Sequence, residues 1–432
     1  MRKKITYALL LLCYSSTYSQ ILDLNLCLKM ADTSNHLLKI ARLDIAINQN
    51  QIEAYKSSLL PKLGFTADYK YNAIIPGQVV PAFFGGGLPG TYTTVQFGVP
   101  WNFSNTIQLT QVLYNPRLKP ALNSLKINQE IVELQSELTV QGVKYEIMNT
   151  YFSIQALKKQ HEFISESTTR TLKLISNIRK LKEQKLVVSN EEDKLEISKL
   201  NLLNQEQTVR NTLEKSKNYL KILIGKTISD SINIPNDELI QRTILTDKTS
   251  ESTIELQIIE AQKRLNLEEK TMFQLAYIPT LTFYSAYNYN YNLLPKHDYA
   301  KGINGAFIGV RLDWTLFDGL ETHFKANVNK LQSDKLKSYS INAKNQVKLS
   351  IINAEKQVEI QRNSLTIAKE QLTLAEKIAT QSQTSISQGV INANDLIKSE
   401  TDLQQAQTNL IIAYIQLRQS ELELLKTTGN IK

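Results

Sequence analysis

The residues best suited to chemistry are carboxylates near two predicted helical turns. Asp395 follows Gly389 by six residues, and Gly389 is the only glycine between Leu320 and Thr428. Glu191 occupies the equivalent place in the first half of the chain. If symmetric copies of the chain surround an axis, a carboxylate at such a turn forms a charged ring that attracts or filters cations. The alternative is an ordinary solvated charge on the surface of a coiled coil.

Four further charged residues lie in segments where polar and apolar residues alternate. Asp68 and Lys70 belong to one such segment, and Arg311 and Asp313 to another. The apolar positions of these segments are Leu63, Phe65, Ala67, Tyr69 and Tyr71, and Ile308, Val310, Leu312, Trp314 and Leu316. A period of two predicts strands with one apolar and one polar face. Runs of about ten residues fit tilted membrane strands whose polar face lines a lumen, although a soluble sheet with one wet face alternates in the same way.

Motifs typical of enzymes and cofactor sites are weak. Gly85, Gly87 and Gly90 form the pattern G-x-G-x-x-G, but no helical pattern follows it. Residues 225–227 resemble the end of a phosphate-binding loop, yet Leu220 stands where the loop needs its first glycine, so a helix end is favoured. The four histidines lie far apart, and a nucleophile elbow is missing. The sequence therefore predicts no enzyme activity, no cofactor and no metal site.

Composition and the first residues indicate where the protein works. A formal charge of +9 over 432 residues is too weak to favour a nucleic-acid partner. Residues 1–19 have the basic start, apolar stretch and small residues of a secretory signal peptide. Lipid attachment at Cys13 would need a small residue before it, and Leu12 stands there. No later stretch approaches the ~20 apolar residues of a spanning helix, and Cys27 is expected to be buried or inert.

The chain repeats one pattern twice. Residues 59–72 are echoed by 277–290, and residues 107–116 by 310–319. We therefore predict two structural repeats, each containing a helix, two strands and a long helical hairpin. The repeats are expected at 20–235 and 236–432, with strands near 63–71, 106–113, 280–290 and 306–316, and with exposed loops at 73–105 and 291–305.

Two stretches are predicted to form very long helices. Leucines recur every seven residues at Leu396, Leu403, Leu410, Leu417 and Leu424, and small residues recur three places later at Ser399, Ala406, Ala413 and Ser420. Such a seam is typical of closely packed coiled-coil helices. At ~1.5 Å per residue, the runs 118–184 and 320–388 would each extend ~100 Å.

Together these features resemble the TolC-like outer membrane efflux protein family. A predicted helix over 40–61 ends in Leu-Leu-Pro before a strand, and residues 316–319 (Leu, Phe, Asp, Gly) lead from a strand into a helix. The glycine turn at Gly389 is followed by Asn394, Asp395 and Leu396. The resemblance covers essentially residues 20–432, and it includes the arrangement in two halves.

The resemblance implies an α+β membrane protein of the cell outer membrane with a long periplasmic extension. Each chain of a homotrimer would give four strands to a 12-stranded β-barrel surrounded by outer membrane lipid, continued by a long α-helical barrel of coiled-coil hairpins. Four strands alone cannot close a membrane barrel, since the smaller bacterial barrels have eight. Oligomerisation thus follows from the residues, whereas the number three comes from the family.

The resemblance also suggests roles for individual residues. Asp395, Glu191 and Lys398 would line a pore constriction. The hairpin tips would meet a periplasmic adaptor protein, and their residues are Lys185 and Leu186 in the first half and Gly389 and Val390 in the second. Lys185 departs from the glycine that is common at this place in the family. The lumen of the barrel would carry Asp68, Lys70, Arg311 and Asp313.

The function implied is that of a passive exit duct in a tripartite efflux system. Energy would come from an inner membrane transporter of the RND or ABC type, which acts through the adaptor. Two alternatives stay open at this point. The same duct could serve a type I protein secretion system, or the chain could be a periplasmic coiled-coil scaffold whose alternating segments form a soluble sheet.

Overall fold

The computed structural model describes residues 22–183, 190–235, 253–294, 299–387 and 393–431. Its helices are α1 Leu24–Ser34, α2 His36–Lys56, α3 Leu118–Glu183, α4 Asn190–Leu223, α5 Ile254–Gln274, α6 Glu321–Ser387 and α7 Ala393–Thr427. Its strands are β1 Lys62–Tyr71, β2 Gly77–Pro81, β3 Tyr92–Gln96, β4 Trp101–Tyr114, β5 Thr280–Leu294 and β6 Tyr299–Asp313. Within these ranges, the helices all lack the combination of length and apolar character needed to cross a lipid bilayer.

The two long predicted helices are confirmed. Helix α3 has 66 residues and α6 has 67. Proline is absent from both except for Pro120 in the first turn of α3, where a missing backbone N–H costs little. Unbroken runs of helix-forming residues therefore continue until the hairpin turns.

One compact unit comprises residues 46–131 and 261–337. It contains an antiparallel sheet in the order β1-β4-β5-β6, together with the separate hairpin β2–β3. The register runs from Lys62 opposite Thr110 to Tyr71 opposite Trp101 between β1 and β4. Strands β5 and β6 pair along their whole length, from Thr280 opposite Asp313.

The predicted ends of three strands were wrong. Strand β5 continues to Leu294 rather than ending near residue 290. Strand β4 begins at Trp101 rather than near residue 106, because residues 101–105 continue the ladder opposite the end of β1. Strand β6 covers Tyr299–Asp313 rather than 306–316. Trp314 continues the alternation, but β5 begins at Thr280, so nothing in the ladder stands opposite Trp314. Its indole N–H instead donates to the Tyr277 carbonyl at 2.8 Å.

The loops predicted between the paired strands also needed correction. Segment 73–105 contains the hairpin β2–β3 and the beginning of β4, and much of segment 291–305 belongs to β5 and β6. The glycine and aromatic residues of these two segments favour loops when the sequence is considered alone. Cross-strand pairing over long distances in sequence extends the strands beyond the alternating runs.

The other compact unit comprises residues 1–45, 132–260 and 338–432, of which the ranges given above are described. Most of the predicted heptad seam of α7 is buried: Leu396, Leu403, Leu410 and Leu417 are 1–7% exposed, and Leu424 is partly buried. Leu410 and Leu417 pack in one cluster with Val358 of α6 and with other buried residues. The coiled-coil prediction is therefore confirmed for these helices.

A second core of this unit packs α1 against α3 and α4. Cys27, Ile147 and Leu220 lie in one cluster and are fully buried. Burial raises the pKa of the Cys27 thiol to about 11, which keeps it protonated and unreactive at neutral pH. Gly225 ends α4 with φ of +72°, and a Cβ there would lie 2.6 Å from the Ser34 carbonyl oxygen. Residues 225–227 therefore form a helix end, as predicted.

The predicted boundary at residue 235 adjoins residues 236–252, which lie outside the described residues. The division into repeats 20–235 and 236–432 stays a prediction for that reason. The predicted signal peptide, residues 1–19, and Cys13 within it also lie outside the described residues.

Candidate functional site

The four predicted lumen residues lie on one face of the sheet. Residues directly opposite each other in neighbouring strands project to the same side. The rows that contain these residues run Lys70, Asn102, Asn292 and Lys301; Asp68, Ser104, Asn290 and Ile303; Val112, Thr282 and Arg311; and Thr280 and Asp313. Most of these neighbours are polar. The pairing of the strands therefore gathers charged residues that are more than 240 positions apart in sequence onto one polar surface.

Two aromatic residues are exceptions on this polar face. The rings of Tyr284 and Phe307 meet edge to face with centroids 5.9 Å apart. The guanidinium of Arg311 lies 5.3 Å from the centroid of the Tyr284 ring. Such a contact holds the arginine over an aromatic face and restricts where its charge can point.

The opposite face of the sheet is apolar and uncovered in the single chain. Ile308 is 76% exposed, Leu63 74%, Phe65 66% and Val310 55%. A soluble sheet would bury such a face against another layer of structure. A contiguous exposed apolar surface instead marks contact with a membrane or with another protein.

Aromatic rings gather at one end of this apolar face. Tyr71 and Trp101 have ring centroids 4.6 Å apart, Tyr69 and Phe103 5.3 Å, and Phe103 and Tyr291 6.2 Å. We call these five residues the aromatic row. In membrane sheets, such rows lie at the level of the lipid headgroups, where a ring with a polar atom meets both oil and water.

A separate candidate region forms where α4 and α7 begin. Leu195 and Leu396 share a buried cluster with Leu174, Ile175 and Ile178 of α3. The Lys194 ammonium group donates to the Asn394 side-chain oxygen at 2.7 Å, although 200 residues separate the two. The structure thereby places the first turn of α4, with Glu191, beside the first turn of α7, with Asp395.

The three predicted constriction residues differ in their surroundings. Glu191 forms an ion pair with Lys194 at 3.5 Å, and its side chain is 14% exposed. Asp395 and Lys398 are exposed on α7. The first turn of a helix favours carboxylates, because the unpaired backbone N–H groups there carry partial positive charge.

The acidic cluster at the start of α4 includes a residue that the sequence did not single out. Glu192 accepts hydrogen bonds from Lys182 and from Arg179, both at 2.9 Å. These bonds, the one from Lys182 first, hold the pKa of Glu192 below its usual range. Glu192 therefore stays ionised and ties the start of α4 to the last turns of α3.

An ion pair further along the helices was also missed. The Arg170 guanidinium of α3 donates to the Glu400 carboxylate of α7 at 3.1 Å, and the Glu400 side chain is 8% exposed. Arg170 also lies 3.8 Å from Glu166. The only sequence signal was the charge of each residue, since the pairing depends on how α3 packs against α7.

The predicted adaptor-docking residues cannot be placed. Lys185 and Leu186, like Gly389 and Val390, lie outside the described residues. Among the residues that are described, no three His, Cys, Asp or Glu side chains come together to hold a metal ion. The polar sheet face and the acidic first turns of α4 and α7 carry charges that can attract ions or polar solutes.

In comparisons with known proteins, no family model matches the sequence and no curated protein matches it. Solved structures do match its fold. The outer membrane protein VceC of Vibrio cholerae has a TM-score of 0.74 at 14% identity, covering 94% of this chain and 96% of that one. The CmeC outer membrane channel of Campylobacter jejuni has a TM-score of 0.74 at 15% identity, covering 94% and 85%.

The MtrE outer membrane channel of Neisseria gonorrhoeae, in its open state, has a TM-score of 0.74 at 13% identity, covering 95% of this chain and 89% of that one. At sequence identities this low, the matches show a shared fold. The chain therefore has the fold of the TolC-like outer membrane channels, and for the fold the resemblance seen in the sequence is confirmed.

Proposed function

We propose that this chain, with its outer membrane channel fold, is the outer membrane component of a tripartite efflux system. It would act as a passive exit duct from the periplasm to the exterior and perform no chemistry of its own. The observation that carries the proposal is the two-faced, four-stranded sheet. One face is apolar and exposed, and the other carries Asp68, Lys70, Arg311 and Asp313.

The edges of this sheet support assembly from several copies. Within the described residues, β1 pairs only with β4 and β6 only with β5, so each has one open edge. All ten residues of β1 are exposed. An open edge is not stable in lipid, where unpaired backbone groups find no water. Pairing of β1 with β6 of the next copy would close a barrel, and three copies supply the twelve strands that the family resemblance implies.

The faces of the sheet then acquire distinct roles. The apolar face with its aromatic row contacts outer membrane lipid, while the polar face lines the lumen. The long helices of the three copies form the periplasmic part of the duct. Asp395, Glu191 and Lys398 are proposed to lie at its constriction, where three copies of each charge would surround the axis.

The partners follow from the same assignment. A passive duct needs an energy source, which would be an inner membrane transporter of the RND or ABC type. A periplasmic adaptor protein would join it to the hairpin tips at Lys185, Leu186, Gly389 and Val390. Export of proteins through the same duct differs only in the transporter, and co-purification of the transporter tells the two apart.

Two substitutions one residue apart test the sidedness of the sheet. Ile308→Lys places a charge on the apolar face, where lysine at the bilayer midplane costs about 2–4 kcal/mol. Phe307→Lys places the same charge on the polar face. We expect Phe307→Lys to retain outer membrane insertion, trimer formation and conductance in planar bilayers, and Ile308→Lys to lose most of each.

Equal behaviour of the two variants would mean that the sheet has no lipid-facing side. A wild-type protein that forms neither trimers nor conducting pores would overturn the proposal as a whole. Recovery of the wild-type protein from the soluble periplasm without detergent would favour the coiled-coil scaffold instead.

A further inference from the structure

The segment between β1 and β4 is free of charged side chains. From Tyr71 to Pro116, 46 consecutive residues include no Asp, Glu, Lys, Arg or His. At the 21% charged residues of the whole chain, about ten would be expected. The corresponding stretch of the second half, which leads from β5 into β6, contains Lys296, His297, Asp298 and Lys301. The absence of charge is therefore specific to the first half.

The hairpin β2–β3 within this segment exposes large apolar side chains. We call residues 77–96 the finger. Its tip exposes Phe83 by 56%, Phe84 by 74% and Leu88 by 77%, and its strands expose Val79 by 72% and Tyr92 by 74%. The rings of Phe83 and Phe84 stack with centroids 4.4 Å apart. An exposed apolar tip of this kind needs a partner to shield it from water.

The backbone of the tip satisfies many of its own hydrogen bonds. The Ala82 N–H donates to the Thr91 carbonyl at 2.8 Å, and the Gly87 N–H donates to the Ala82 carbonyl at 2.9 Å. Gly86, with φ of +83°, makes the tight turn possible and donates to the Phe83 carbonyl at 3.2 Å. Unpaired backbone polar groups are the main obstacle to entering lipid. Transfer of this tip out of water leaves few such groups unpaired.

The finger leaves the sheet at the level of the aromatic row. Its base is fixed by Asn72, whose backbone N–H donates to the Pro100 carbonyl at 2.7 Å and whose side chain donates to the Val99 carbonyl at 2.9 Å. Tyr71 and Trp101, which flank this base, are themselves members of the row. If the row marks the headgroup level, the finger begins there as well.

We propose that the tip of the finger, formed by Phe83, Phe84 and Leu88, inserts into the lipid of the bilayer that the sheet spans, at the boundary between headgroups and acyl chains. This inference rests on the proposed membrane location of the sheet. Lipid explains the finger better than a second copy of the chain, because the rim of a contact between copies is polar, whereas the 46 residues around the finger carry no charge. The outer edges of the two-stranded finger are unpaired within the described residues, so the boundary suits it and the hydrocarbon centre does not.

Tryptophan fluorescence in vesicles can test the depth of the tip. The native tryptophans are first replaced by Trp101→Phe and Trp314→Phe. Into this background, Phe84→Trp reports on the finger, Ile308→Trp on the apolar face of the sheet, and Asn288→Trp on its polar face. Each folded protein is reconstituted into phosphatidylcholine vesicles that carry bromine on shallow or deep acyl carbons, and bromine quenches tryptophan on contact.

We expect quenching of Phe84→Trp mainly by shallow bromines, with emission shifted to the blue. Ile308→Trp should be quenched mainly by deep bromines, and Asn288→Trp by neither. Leu88→Trp, a second substitution at the tip, is expected to behave like Phe84→Trp and covers the case in which one variant fails to fold.

The outcomes separate this inference from the proposed function. Quenching of Ile308→Trp without quenching of Phe84→Trp and Leu88→Trp would overturn lipid insertion of the finger and leave the membrane sheet in place. If blue-shifted emission accompanied that lack of quenching, neighbouring copies would be the partner of the finger. If neither Ile308→Trp nor the tip variants were quenched, the membrane location of the sheet would fall as well.

Discussion

The first turns of α4 and α7 are equivalent positions in the two halves of the chain, yet the carboxylates in the two turns have different surroundings. At the start of α4, Glu192 is bound by Arg179 and Lys182, and Glu191 pairs with Lys194. At the start of α7, Asp395 is the acidic residue of the first turn and is exposed. The first turn of α4 is held by ion pairs to its own hairpin, whereas the carboxylate in the first turn of α7 lies at the exposed surface of the helix.

This difference indicates that the two hairpins have different roles. The apolar positions, Leu195 and Leu396, remain equivalent and share one buried cluster. The charges have diverged, because charged side chains on a helix surface can change without disturbing the core. We infer that the α4 turn stabilises the helix ends, while the α7 turn is the better candidate for contact with permeating ions.

The largest expected effect comes from the ion pair between the partly exposed Arg170 of α3 and the buried Glu400 carboxylate of α7. Arg170→Met keeps the length of the side chain and leaves the Glu400 carboxylate buried without its cation. Leaving a buried acceptor without its partner costs about 1–3 kcal/mol, and more for a charged group. Thermal unfolding, followed by helical circular dichroism, should show a clear loss of stability.

Two controls accompany Arg170→Met. The double variant Arg170→Met/Glu400→Gln should recover most of the loss, because no unpaired charge remains. Glu166→Gln removes the exposed second partner of Arg170, 3.8 Å away, and should change little. A double variant that is as unstable as the single one would show that packing, and not the buried charge, is responsible.

The next effect concerns conduction. Asp395→Asn removes the charge of an exposed carboxylate, and Glu191→Gln removes the charge of a carboxylate that is only 14% exposed. A unit charge at close range in water contributes on the order of 1 kcal/mol, so loss of Asp395 should weaken block by a multivalent cation by about fivefold. Glu191→Gln should leave block nearly unchanged. Planar bilayer recordings on both variants measure this, and equal effects would remove the contrast between the two turns.

A pH effect is expected at the start of α4. Because the pKa of Glu192 is lowered in the folded protein, its ion pairs add stability above the ordinary pKa of a glutamate, and that stability is lost as pH falls through the lowered value. Glu192→Gln should therefore be less stable than wild type at neutral pH and equal to it in strong acid. If the difference in unfolding free energy between Glu192→Gln and wild type did not change from neutral pH to strong acid, the role given to Glu192 would be contradicted.

The smallest effect is expected for the bridge between the two turns. Lys194→Met removes the contacts to Glu191 and Asn394, but the lysine side chain is 43% exposed. Exposed pairs contribute about 0–1 kcal/mol. Lys217→Met, which breaks a pair within α4 at 3.0 Å, is the matched control. A loss for Lys194→Met well above that of the control would mean that the bridge holds the two turns together.

Much of the fold could be predicted because it depends on short-range patterns. The leucine heptads of α7 and the absence of glycine and proline predicted the long helices, and alternation predicted the faces of the sheet. Strand ends were less predictable, since Trp314 alternates correctly but has no residue of β5 opposite it. The ends depend on the partner strand, which the local sequence does not contain.

Some residues of the candidate site could likewise be predicted from local patterns, and others could not. Asp395 could be singled out from its distance to a glycine turn, and Arg311 from its alternation with apolar neighbours. The contacts of Glu192 with Arg179 and of Glu400 with Arg170 could not, because nothing local distinguishes these charges from solvated ones. Their pairing depends on which helix faces meet, and Lys194 reaches Asn394 across 200 residues.

The sequence by itself determined the helices, the two-faced strands and the charge-free segment from Tyr71 to Pro116, since each depends on periodicity or composition along the chain. Only the tertiary structure decided which charges are neutralised and which remain exposed. The energy of a charge depends on the groups and solvent within a few ångströms of it, and folding sets that environment.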